Sequence, residues 1–136
     1  MVTAAAAFAG AAMAQPTITS LGVLGGGTYS NAEGISADGA VVTGSSGSSS
    51  GQRAFRWTAG GGMQNLGALT GFAVRSWGAA LSADGTVVTG VSQGSGNVAR
   101  AFRWSEATGL QSLGVLGTGS ISMAKAISGD GSCHRN

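Results

Sequence analysis

The 136-residue chain has one cysteine, one proline and one histidine. Cys133 has no second thiol to bridge to, and nothing around it stands at zinc-ligand spacing. Cysteine therefore does not mark the redox compartment. Charged residues make up 9%, against about 25% in an ordinary globular chain. The net charge of +2 and the pI near 9.3 rest on few groups. The seven Lys and Arg are scattered, whereas a nucleic-acid footprint needs basic residues clustered on one face. Nucleic acid is thus excluded as a partner. The apolar run at residues 1–14 is too short to cross a bilayer, which takes about 20 residues. No transmembrane span is expected.

What is present is glycine (26 residues), other small residues and short β-branched runs. That composition favours all-β, and the length allows one domain at most. The organising stretch is Ile35-Ser-Ala-Asp-Gly-Ala-Val-Val-Thr-Gly44. It returns as Leu81-Ser-Ala-Asp-Gly-Thr-Val-Val-Thr-Gly90 and begins again as Ile127-Ser-Gly-Asp-Gly-Ser132. Asp38 to Asp84 and Asp84 to Asp130 are each 46 residues. Periods of this size mark repeat architectures.

Each repeat reads as four short strands separated by Gly and Ser clusters. Strand a is expected at 31–36, 77–82 and 123–128, and strand b at 40–44 and 86–90. Strand c is expected at 53–58 and 100–105, and strand d at 63–69 and 110–116. Ser36-Ala37-Asp38-Gly39 has the chemistry of a type I turn with glycine in the left-handed conformation. Residues 45–52 and 91–99 then read as loops between b and c. Four antiparallel strands in about 46 residues match one propeller blade. A β-solenoid is the alternative, but its rungs are roughly half that length. Val41-Val42 and Val87-Val88 put neighbouring apolar residues on opposite sheet faces, so both faces must be covered. One blade cannot do this alone.

The residues Leu-Gly-x-Leu, x-Ile-Ser-x-Asp-Gly-x-Val-Val-x-Gly, Ala-Phe-x-Trp and Gly-Met-Gln-x-Leu-Gly together resemble the HAF family of extracellular repeats. The resemblance covers residues 18–132. It implies an exported bacterial protein, in some relatives the part preceding an autotransporter barrel. Arg53 and Arg100 stand where the family has the histidine of His-Ala-Phe. The resemblance implies no catalytic residues.

The chemistry-bearing residues point the same way. Asp38, Asp84 and Asp130 supply too few oxygens for calcium, which takes six to eight. Asp before Gly reads as turn chemistry. Phe55, Trp57, Phe102 and Trp104 alternate along strand c and read as inter-blade core, with Arg56 and Arg103 over a neighbour's surface, stacked on a ring. The same rings would serve a glycan or a nucleic-acid base. Leu24-Gly-Gly-Gly-Thr28 lacks the Gly-Lys-Ser/Thr ending of a phosphate loop and reads as a turn. His134 assembles no Ser/His/Asp set, and Glu33 and Glu106 occupy different repeat positions. No catalytic, metal or cofactor site is expected.

The ends are read separately. Residues 1–14, ending Ala12-Met13-Ala14, resemble a signal-peptide core and cleavage site without a basic leader. The repeats then occupy residues 15–132, divided at about 17–65, 66–112 and 113–132. Residues 133–136 depart from the repeat, as a shifted frame or gene boundary would make them. Strand a of the third repeat is then expected to lack its hairpin partner. On this reading the chain is a piece of an incomplete β-propeller, about two and a half blades, completed by further blades or another chain. Its expected function is an exported structural or interaction module at the cell surface, such as an autotransporter passenger. The alternatives are a glycan-binding module and part of a secreted propeller enzyme whose site lies elsewhere.

Overall fold

Each Ser-x-Asp-Gly quartet closes a hairpin by local bonding. In the computed structural model, which describes residues 19–131 and the strand at 133–135, Gly39 N–H donates to the Ser36 carbonyl at 3.0 Å. Gly85 N–H donates to the Ser82 carbonyl at 2.9 Å. Gly39 and Gly85 hold φ at 77° and 75°. That region carries a steric penalty for any residue with a Cβ. The turn expected from the sequence is the turn observed.

The first hairpin joins β1 (Ser30–Ile35) to β2 (Val41–Ser46), and β3 (Arg53–Thr58) and β4 (Gly62–Gly67) follow. They form one antiparallel sheet in chain order. The second sheet repeats it with β5 (Arg75–Leu81), β6 (Val87–Gln93), β7 (Ala99–Ser105) and β8 (Gly109–Ser112). A third hairpin pairs β9 (Ala124–Ile127) with β10 (Cys133–Arg135). The first two sheets are four-stranded antiparallel blades of an incomplete β-propeller. The solenoid alternative would need sheets of parallel rungs, whereas among the described residues every strand pair is antiparallel and the parallel bridge Ala99–Ile121 is isolated.

The blades stack face to face. Strand β5 lies on β2 and β3, and β9 lies on β5 and β6. Between the first two blades Val41, Ala54, Leu66, Leu81, Val88, Phe102 and Trp104 form a buried cluster. Each large apolar side chain so buried contributes about 2 kcal/mol. Val41, Val42, Val87 and Val88 are all buried, so both faces of strand b are covered as the sequence pattern requires.

The strand limits differ from expectation in explicable ways. Strand b runs on through Ser46 and Gln93, because Ser45, Ser46 and Ser92 pair with strand c and are buried. The loops shrink to residues 47–52 and 94–98. Strand d ends early, at Gly67 and Ser112, where Gly67 and Gly114 turn to positive φ (81° and 75°). Strand β9 does not lack a partner: Cys133 pairs with Ile127 and His134 with Ala126. Backbone pairing needs no particular side chain, so a tail outside the repeat motif still closes the hairpin. The signal-peptide expectation at 1–14 lies outside the described residues.

One glycine per blade sets how closely strands a and b approach. The a–b register skips between Ala32 and Gly34 and between Gly78 and Ala80, which leaves Glu33 and Ala79 as bulges. A Cβ on Gly90 would stand 2.0 Å from the Trp77 carbonyl and 2.8 Å from the Phe102 ring. The glycine of Val-Val-Thr-Gly thus makes room for backbone on one side and for an aromatic ring on the other.

Candidate functional site

The recurring polar residues converge on the seam between blades. Arg56, on the strand Arg53-Ala-Phe-Arg-Trp57, points out of its own sheet. Its Nε donates to the carbonyl of Gly85, in the Asp-Gly turn of the next blade, at 2.8 Å. Arg103 repeats this to Gly131 at 3.3 Å. The expectation that these arginines stack on a ring is corrected: a guanidinium finds stronger acceptors in the left-handed glycine's outward carbonyl. The stacked arginine is Arg100, whose guanidinium carbon lies 4.8 Å from the centre of the Phe72 ring.

A second set of bonds joins the turns directly. Ala37 N–H donates to Ala83 carbonyl at 3.0 Å, and Ala83 N–H to Gly129 carbonyl at 3.2 Å. One turn of each blade therefore continues into the same turn of the next. At the far end of the strands, Ser76 hydroxyl accepts the Ala54 N–H at 3.0 Å and donates to the Gly67 carbonyl at 2.6 Å. Ser122 accepts the Ala101 N–H at 2.9 Å. Arg53 and Arg100, each just before the Ala-Phe pair of strand c, reach carbonyls of the inter-blade connectors: Ala73 at 3.0 Å and Ser120 at 2.8 Å.

The aspartates serve the turns. Asp38 Oδ1 accepts the Ala40 N–H at 3.0 Å and the Ser36 hydroxyl at 2.8 Å. These bonds, the backbone one first, hold its carboxyl below the ordinary range. Asp84 Oδ1 accepts the Thr86 hydroxyl at 2.7 Å, the Thr86 N–H at 3.1 Å and the Ser82 hydroxyl at 2.8 Å. Its pKa is likewise lowered, chiefly by the Thr86 hydroxyl. Asp130 accepts from Ser128 in the same way. Among the described residues no three metal-ligating side chains converge.

The aromatic residues divide. Phe55, Phe102 and Trp104 are buried, so none of these rings presents a face on which a ligand could stack. Trp57 is only half-buried, although it holds the repeat position of Trp104. The two strands are alike, but their neighbours differ. Of the residues weighed for catalysis, Glu33 and Glu106 are exposed at separate places. The side chain of His134 lies outside the described residues.

Sequence reading missed the seam serines. Their signal was available: Ser30, Ser76 and Ser122 recur every 46 residues, as do Ser46 and Ser92. Ser46 and Ser92 accept the N–H of Leu24 and Leu69 at 2.9 Å, tying each connector to its blade.

No family model and no curated protein matches the chain. Among solved structures, TolB from Acinetobacter baumannii is similar, with a TM-score of 0.50 and 18% identity. The alignment covers 87% of this chain and 33% of TolB, so the chain spans a third of that structure's length. TolB is a β-propeller, and the likeness bears on the fold alone. No helix among the described residues is long and apolar enough to cross a membrane.

Proposed function

We propose that the chain is an exported repeat protein of the HAF type, acting as a structural or interaction module at the bacterial surface and not as an enzyme. The observation that carries this reading is the fate of the recurring polar groups. Arg56 and Arg103 are both spent on the next blade's turn. Asp38 and Asp84 are spent within their own turns, and Ser76 and Ser122 on the neighbouring strand. What repeats along the chain is the chemistry of blade stacking. A passenger built this way presents loops on a scaffold that can be extended blade by blade.

Export supports a surface role through residues 1–14, whose apolar run ends in Ala12-Met13-Ala14. The test is expression of the full chain in a Gram-negative host, with fractionation and N-terminal sequencing. The expected product lies outside the cytoplasm and begins at Gln15. Product retained in the cytoplasm with Met1 intact overturns export. Turnover of generic ester or glycoside substrates by the purified chain, lost on mutation of a surface residue, overturns the non-enzymatic reading.

A further inference from the structure

Val74 is 55% exposed and Tyr29 44%, although the seam they flank has a four-stranded blade on each side. Both lie at the end of the strands opposite the Asp-Gly turns, where the loop 47–52 of the first blade meets the connector into the second. Tyr29 hydroxyl donates to Gln52 Oε1 at 3.2 Å. The Gln52 carbonyl in turn accepts the Ser76 N–H of the second blade at 3.1 Å. Between these residues stands Gly51, which is exposed and has φ at 97°. A Cβ there would lie 3.6 Å from the Val74 carbonyl and 3.7 Å from Arg53 Nη1. The glycine leaves an open gap bordered by a guanidinium. Ser48 hydroxyl fixes the loop over it by donating to the Gly51 carbonyl at 2.6 Å.

Charge divides along the strands. Asp38, Asp84, Asp130 and Glu106 all lie in the turns at one end, and Glu33 lies within β1. Arg53, Arg75 and Arg100 stand at the starts of β3, β5 and β7, at the other end. Among the described residues that end holds no carboxylate. Arg53 is only 9% exposed, and its bonds among the described residues go to carbonyls, Gln52 at 2.8 Å and Ala73 at 3.0 Å. A buried cation is costly without a counter-charge, and backbone dipoles offset only part of the cost. An anion seated over Gly51 would supply the rest.

We propose that the gap over Gly51 binds an acidic saccharide, a sugar chain bearing uronic-acid carboxylates. The carboxylate bonds the Arg53 guanidinium. The Gln52 amide donates to a sugar hydroxyl, and the C–H face of the sugar ring lies against Tyr29. One flat ring and one small aliphatic side chain flank the gap, which is too open to anchor a peptide side chain as an apolar pocket does. Phe55, Phe102 and Trp104, the buried rings of strand c, are not used; Tyr29 is the exposed ring. The inference names the ligand class of the interaction module proposed above and rests on that reading. It is tested on purified protein, independently of export.

Titration calorimetry of the full chain with oligomannuronate is the test, with maltohexaose as the neutral control and poly-glutamate as the acidic non-sugar control. Oligomannuronate is expected to bind, more weakly as salt is raised, and the two controls to bind at least about tenfold more weakly. Tyr29→Ala should weaken binding about tenfold by removing the stacked ring. Val74→Glu should weaken it at least as much by setting a like charge beside the ligand's carboxylate. Both positions are exposed, so the melting curve should change little. Ala107→Glu, in a turn at the opposite end, should leave binding unchanged. No heat with oligomannuronate, or binding that survives both Tyr29→Ala and Val74→Glu, overturns the site. Maltohexaose bound equally well overturns the acidic ligand, and poly-glutamate bound equally well assigns the gap to an acidic peptide and overturns the saccharide. Absence of binding with export intact removes only this inference. Cytoplasmic retention with binding intact removes only the export reading.

Discussion

The Nε of Arg56 lies 2.8 Å from the carbonyl oxygen of Gly85, 29 residues on and one blade away. The bond couples the two motifs that define the repeat. The Ala-Phe-Arg-Trp strand supplies the donor, and the Ser-Ala-Asp-Gly turn supplies the acceptor. A left-handed glycine is what turns that carbonyl outward.

Arg56→Ala should therefore destabilise the fold by about 1–2 kcal/mol, the contribution of a hydrogen bond to a charged group reduced by partial exposure to solvent. Arg56→Lys should recover only part of this, since an ammonium lacks the planar guanidinium. Urea denaturation of the purified chain gives the comparison. An Arg56→Ala chain as stable as the parent would show the bond to be energetically idle.

Trp104→Ala and Trp57→Ala should differ, although the tryptophans are repeat equivalents. Trp104 is 6% exposed and sits in the core cluster, so its truncation should cost about 3–5 kcal/mol. Half-buried Trp57 should cost about 2 kcal/mol. Equal losses would mean that the first blade has a covered upstream face in solution.

The two threonines of Val-Val-Thr-Gly should also part company. Thr43 hydroxyl donates to the Phe55 carbonyl at 2.7 Å. Thr89 hydroxyl is buried with no hydrogen-bond partner among the described residues. The residue facing Thr43 is Gly78, and a Cβ there would stand 2.0 Å from the Thr43 hydroxyl oxygen. Its repeat counterpart is Ala124. Thr43→Val should cost about 1 kcal/mol, and Thr89→Val should be neutral or stabilising, because it removes an unsatisfied buried hydroxyl. Parallel thermal melts decide; equal losses would contradict the difference in bonding.

Gly90→Ala should be among the most damaging single changes. The added methyl meets the Trp77 carbonyl and the Gly78 backbone, neither of which can swing aside. A loss of about 3 kcal/mol is expected, at the upper end for overpacking. Gly96→Ala, in a loop with open space around it but with φ at 74°, should cost about 1 kcal/mol through backbone strain alone.

Acid should weaken the turns. Asp38 and Asp84 have folded pKa values below their unfolded ones. Their contribution is present above the unfolded pKa, about 3.9, and is lost as pH falls through the folded value. Melting temperature should drop on acidification below about pH 4. The drop should be smaller in a chain carrying both Asp38→Asn and Asp84→Asn. A drop of the same size in that chain would place the acid sensitivity elsewhere.

The 46-residue period was legible because one motif returns along the chain, and the strand order within a blade and the Asp-Gly turns because they depend on residues close in sequence. A glycine at positive φ, an aspartate bonding two residues on and two valines side by side act locally, whatever surrounds them. The seam depended on more. Arg56 could as well have stacked on a ring, and the letters around it do not say which acceptor the next blade turns toward it. Ile35 and Leu81, Trp57 and Trp104, and Thr43 and Thr89 are near-identical in sequence context and different in exposure or bonding. Repeat equivalence makes local conformation the same in every blade. Burial and hydrogen-bond partners come from the adjacent blade, and only the stacked structure says which blades have one on each side.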